Sequence, residues 1–83
     1  MEDRLAWARC ALQFNDVATA ARLLGQIDDQ GKQSAGYHAV AALIAQALHQ
    51  DDKAAAEWSE AVRLAPNEPN YRAELRRAGE RRP

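Results

Sequence analysis

Offset against itself by 34 positions, the sequence sets small residues on small ones and apolar on apolar without a gap. Ala8 falls on Ala42, Ala11 on Ala45, Ala20 on Ala54 and Ala21 on Ala55. Phe14 falls on Leu48, Leu24 on Trp58, and the turn-like pair Asn15-Asp16 on His49-Gln50. A period of this length, with two helical stretches in each unit, leaves few folds. Each unit is one supersecondary element that buries its apolar face only against its neighbour.

Composition points the same way. Alanine supplies 19 of the 39 hydrophobic residues, and the β-branched residues are few: Val17, Thr19, Ile27, Val40, Ile44 and Val62. Strong helix formers dominate, and period-two alternation never lasts, so an all-α protein is expected. At 83 residues the chain is one small domain, too short for a barrel or a doubly wound sheet.

Five helices follow from the apolar spacing. The first spans about 3–14, with Asp3 as its cap and Leu5, Ala8, Ala11, Leu12 and Phe14 as its apolar positions. Asp16 caps a second helix that runs to about Ile27 and carries Ala20, Leu23, Leu24 and Ile27 as a stripe. Asp28-Asp29-Gln30-Gly31 breaks the chain. Ser34 caps a third helix over about 35–48, and Gln50-Asp51-Asp52 turns the chain into a fourth over about 52–65. Pro66-Asn67-Glu68-Pro69 ends that helix, because proline has no N–H for the ladder and restrains the residue before it. A fifth helix covers about 69–79 with Tyr71, Leu75 and Ala78 inward, leaving 80–83 as a frayed tail.

Residues 35–68 carry a more specific pattern. A small residue, Ala42, stands in the middle of the first helix of the unit. Lys53 and Ala54 open the second, followed by Trp58, Ala61, Pro66 and Asn67. In this the segment resembles a tetratricopeptide repeat, the small residues allowing close helix approach and the aromatic filling the gap between units. His38, Ala41 and Ala45 depart from that family's pattern. The first unit is more degenerate: Trp7, Ala8, Asn15-Asp16 and Ala20 fit, but Ile27 replaces an alanine and no proline closes it.

The resemblance implies a single domain over 1–83: repeat one at 1–34, repeat two at 35–68, a capping helix at 69–79 and the tail. It implies an α-solenoid of antiparallel helix pairs and a protein-interaction scaffold, which in bacteria suits a larger assembly or a secretion system. A partner peptide or helix would lie in the groove formed by the first helix of each unit. The groove positions would be Glu2, Leu5, Arg9, Leu12 and Gln13, then Gly36, Ala39, Val40, Leu43, Gln46 and Ala47, then Asn70, Ala73, Glu74 and Arg77. Leu5, Leu12, Leu43 and Gln46 would form the floor, with Arg9 and Arg77 at the rim. Where some members of the family hold a C-terminal carboxylate, this chain has Leu5, Arg9, Ala39, Leu43 and Ala73, and only Arg9 is cationic. An apolar segment is therefore the expected guest rather than a carboxylate.

Charge is uneven. Residues 1–69 carry six Lys/Arg against ten Asp/Glu, whereas 70–83 carry five Arg against two Glu. Arg72, Arg76 and Arg77 form a basic surface on the fifth helix. It offers a phosphate contact as an alternative function, but no recognised nucleic-acid motif accompanies it and nucleic acid is not the expected partner. A homodimer is the other alternative, its basic end meeting Asp28-Asp29 or Asp51-Asp52 of a second copy. Two and a half units are few for an array of this kind, which also favours a second copy, a partner chain or a fragment of a longer array.

No catalytic, metal or cofactor site is expected. His38, His49 and Cys10 lack metal-ligand spacing, and no phosphate loop surrounds Gly25 or Gly36. Cys10 aligns with Ile44 and is expected to be a buried structural thiol. No apolar run reaches the length of a membrane span, and residues 1–4 do not read as a signal peptide. The compartment expected by default is the cytoplasm, or the periplasm if the chain is a piece of a longer exported protein.

Overall fold

A computed structural model describes residues 4–27 and 34–81. Five helices follow one another: α1 (Arg4–Gln13), α2 (Val17–Gly25), α3 (Ala35–Ala47), α4 (Asp51–Leu64) and α5 (Pro69–Arg81). No strand occurs among the described residues. Links of three residues join α1 to α2 and α3 to α4. Each such pair packs side by side, and α4 packs on α5 in the same way.

The helix starts follow from their caps. Asp16 Oδ1 accepts from the Thr19 N–H at 3.2 Å, satisfying one orphan donor at the start of α2. Ser34 Oγ accepts from the Tyr37 N–H at 3.1 Å and does the same for α3. At α4 the cap is Gln50, which makes no side-chain bond; Asp51 and Asp52 instead lie in the first turn, where the helix dipole favours negative charge. The α4 helix therefore begins one residue earlier than its apolar pattern suggests.

The ends are equally specific. At the end of α1, the Asp16 N–H donates to the Ala11 carbonyl at 2.8 Å and the Asn15 N–H to that of Leu12 at 3.0 Å. At the end of α3, the Gln50 N–H donates to Ala45 at 2.8 Å and the His49 N–H to Gln46 at 3.1 Å. Both are the paired bonds of a Schellman turn, which needs a left-handed residue after the helix. Asn15 and His49 supply it, with φ of 61° and 60°. The α2 helix stops at Gly25 rather than Ile27, because Gln26 and Ile27 turn back on Leu23 and Leu24 with tighter bonds of 3.2 Å. At the other extreme α5 runs on to Arg81, past the expected end at residue 79. No proline interrupts it there, and Gly79 does not take a positive φ.

The offset of 34 thus recurs in the backbone: α1 and α3 end at Gln13 and Ala47, while α2 and α4 begin at Val17 and Asp51. It recurs in the core as well. Ala8 and Ala42 are fully buried, and so are Ala20 and Ala54.

Two apolar clusters meet at α3. One joins Ala39, Ala42 and Ala45 of α3 to Ala54, Ala55, Trp58 and Ala61 of α4 and Ala78 of α5, with Tyr71 and Leu75 against its edge. The other joins Val40 and Ile44 of α3 to Ala8 of α1 and Ala20 of α2, edged by Leu12, Leu23 and Leu24. Most of these side chains are alanine, so the helices approach closely and one tryptophan fills the remaining space. Trp58 stacks obliquely on Tyr71, ring centroids 6.0 Å apart, which ties α5 to the second unit. His38 Nδ1 lies 3.2 Å from Glu57 Oε1, a polar clasp between α3 and α4 at the edge of the first cluster.

Asp3, Glu2 and the acidic stretch Asp28-Asp29 lie outside the described residues, as does Gly31.

Candidate functional site

The groove pattern names positions on three helices, and the structure separates them by burial. Arg9 and Gln13 of α1 are exposed; the side chain of Leu5 lies outside the described residues. Leu12 is half-buried in the cluster between α1, α2 and α3. On α3, Leu43 is 37% exposed, Ala47 is exposed and Gln46 is half-buried. Ala39 and Val40 are buried, Val40 completely. They belong to the interior because α3 is flanked on both sides, by α4 against Ala39 and by α1 and α2 against Val40. A helix held that way leaves open only a narrow strip. Of the expected floor, among the described side chains Leu43 is exposed while Leu12 and Gln46 are half-buried.

What remains is a set of exposed side chains at matching positions of the sequence offset. Arg9, Leu43 and Arg77 are all exposed, and each stands 34 residues from the next, at the same place on α1, α3 and α5. Beside Leu43 is an open depression of about 630 Å³ lined by Leu43, Gln46, Ala47, His49 and Asp51. Arg77 Nη1 donates to Glu74 Oε1 at 2.7 Å within α5. Such an exposed pair is weak and yields readily to another carboxylate.

Arg72 and Arg76, the rest of the basic surface, are exposed and flank a smaller depression of about 380 Å³ with Pro69 and Ala73. A third depression, a cleft of about 320 Å³, lies between α2, α3 and α4, with Leu24, Ile44 and Leu48 among its walls and Lys53 and Glu57 at its edge.

Cys10 corrects an expectation. Its thiol is free and exposed rather than buried like Ile44, because no described element packs on that side of α1. Trp7 and Phe14, on the same side, are 55% and 80% exposed. Hydrophobicity alone marks these residues as core. Their exposure follows from tertiary context, which the apolar pattern does not carry.

Asp16 is the one described group with a resolved change in acidity. Hydrogen bonds from Thr19 hold its carboxyl below its ordinary value, and Arg22 adds to this. Its role is the capping of α2. No cluster of three or more potential metal ligands occurs among the described residues, and no described helix is long and apolar enough to cross a membrane. No protein-family model, curated protein or solved structure matches the chain.

Proposed function

We propose that the chain is a helical-repeat interaction module of the tetratricopeptide kind, which holds a partner peptide or helix across the outer strip of α1, α3 and α5. The observation that carries this reading is the set Arg9, Leu43 and Arg77, exposed at matching positions 34 residues apart. A stacked repeat presents equivalent positions along one face, which is how such arrays build extended binding surfaces. The recurrence of the turn at Asn15 and His49 supports the same stacking.

The chemistry of the strip suggests its guest. Leu43 and the depression beside it suit one apolar anchor, and the arginines on either side suit carboxylates flanking that anchor. The preferred ligand is therefore an amphipathic segment with an apolar residue between acidic ones. Arg9 contributes the only cation of α1 on this strip among the described side chains.

Selection from a random peptide library displayed on phage tests the reading. Enriched peptides should share an apolar residue flanked by Asp or Glu, and Leu43→Glu should weaken them about tenfold or more while the circular dichroism stays unchanged. Equal binding to folded Leu43→Glu would falsify the strip as the site. Steep loss of a DNA oligonucleotide with salt, sensitive to Arg72→Glu and Arg76→Glu, would instead favour the phosphate reading of the basic surface.

A further inference from the structure

We infer that the side chain this surface selects is a tyrosine, seated in the depression beside Leu43 with its phenol against Asp51 and His49. The inference rests on the reading of the surface as a peptide site, and it narrows the apolar anchor to one residue type.

The depression has an apolar part and a polar part. Leu43 and Ala47, one turn apart on α3, are exposed and give the apolar base. His49 and Asp51 give the polar part, from the turn between α3 and α4 and the first residue of α4. The bonds that close this turn, from the His49 N–H to Gln46 and from the Gln50 N–H to Ala45, fix the backbone that carries them.

The fold makes no use of these two polar side chains. The cap residue of α4 is Gln50, and Asp52 also brings negative charge to the first turn. The side chains of Asp51 and His49 have no hydrogen-bond or ion-pair partner among the described residues, although Asp51 is half-buried. Shifted by 34 residues, Asp51 becomes Val17, which opens α2 with an apolar side chain packed on its cluster. The repeat therefore accepts valine at this place, and the carboxylate is particular to the second unit.

That pair of groups discriminates between guests. An ionised carboxylate accepts hydrogen bonds and donates none. A leucine or phenylalanine laid over Leu43 takes water from Asp51 and returns no donor, which is costly. A lysine brings a donor, but the α4 dipole already offsets part of the Asp51 charge, and the ammonium loses its own hydration on docking. Tryptophan donates, yet has nothing to accept from an imidazole N–H of His49. Tyrosine meets every part: its ring covers Leu43 and Ala47, its O–H donates to Asp51 and its oxygen accepts from His49. At about 630 Å³ the depression is within the range of ligand sites and takes a phenol ring.

Resynthesis of phage-selected peptides tests this. Peptides that bind the wild type and lose binding to folded Leu43→Glu are remade with tyrosine, tryptophan, phenylalanine, leucine or lysine at the position most sensitive to alanine. Isothermal titration should rank tyrosine first, with phenylalanine about tenfold weaker. On Asp51→Val, which places at α4 the residue that opens α2, the tyrosine and phenylalanine peptides should bind within about twofold of each other. Circular dichroism checks that this variant is folded, and Asp51→Ala replaces it if valine disturbs the start of α4. A peptide with any of the other residues that binds as tightly as the tyrosine one overturns the inference and leaves the peptide site standing. So does a preference for tyrosine over phenylalanine that is unchanged once Asp51 is removed. A selection that yields no peptide sensitive to Leu43→Glu overturns the peptide site and the tyrosine seat together.

Discussion

Asn15 and His49 stand 34 positions apart and hold the same left-handed backbone, with φ of 61° and 60°. Each closes a helix with the same pair of hydrogen bonds, to Ala11 and Leu12 in one case and to Ala45 and Gln46 in the other. Asparagine visits this conformation at modest cost, because its short polar side chain bonds locally. Histidine adopts it less willingly, so the turn at His49 holds strain that the surrounding helices offset.

Glycine at His49 should relieve that strain. His49→Gly is expected to raise stability by roughly 0.5–1 kcal/mol, and Asn15→Gly by less. Urea unfolding measures this as a higher midpoint at unchanged slope. A lower midpoint would show that the imidazole itself holds the turn.

Close approach of α3 and α4 rests on alanines, so enlarging one should be costly. Ala54 is fully buried, while Ala56, two residues along, is exposed. Ala54→Leu is expected to cost about 1–3 kcal/mol through overpacking. Ala56→Leu should change stability by less than about 0.5 kcal/mol. Thermal unfolding of the two variants provides the comparison, and equal melting temperatures would refute the tight α3–α4 seam.

Asp16 links stability to pH. Its carboxyl is held below its ordinary value of 3.8, chiefly by the bonds from Thr19. A lowered pKa in the folded state favours folding above that ordinary value, and the benefit disappears as pH falls through the lower folded value. Asp16→Ala should therefore reduce the melting temperature by a few degrees at pH 7 and make little difference near pH 2. Melting curves at both values check the sign, and an equal loss at both would point to packing rather than charge.

Much of this architecture is legible in the sequence because it is written locally. Asp16 and Ser34 announce helix starts through their own side chains, and Pro66 and Pro69 bracket the last turn. The offset of 34 shows in the alanines that must be small for helices to touch. The surfaces are less legible. Val40 and Ala39 share the groove pattern with Leu43 but are buried, since flanking helices on both sides decide their fate. Cys10 and Ile44 hold equivalent places yet differ in exposure, because only α3 has a packed unit against that face. Burial of this kind depends on what lies beyond a helix, and periodicity within the helix does not encode it.

The two tryptophans put that difference within reach of a simple measurement. Trp58 is buried among Ala39, Ala42, Ala61 and Ala78, with Tyr71 at its edge, whereas more than half of Trp7 is open to solvent. At micromolar concentration, acrylamide should quench two populations, one readily and one poorly. In Trp7→Phe the readily quenched component should vanish and the emission should move to shorter wavelength. Trp58→Ala should remove the protected component and cost roughly 3–5 kcal/mol, a large share of the ~4–12 kcal/mol available to 83 residues. A truncation of that size threatens folding itself, so Trp58→Phe is the companion variant: it keeps a ring against Tyr71 and should retain the helical circular dichroism. Uniform quenching of the wild type would mean that the Trp58 cluster opens in solution. The tie between α4 and α5 would then be too loose to hold Arg77 in register with Leu43.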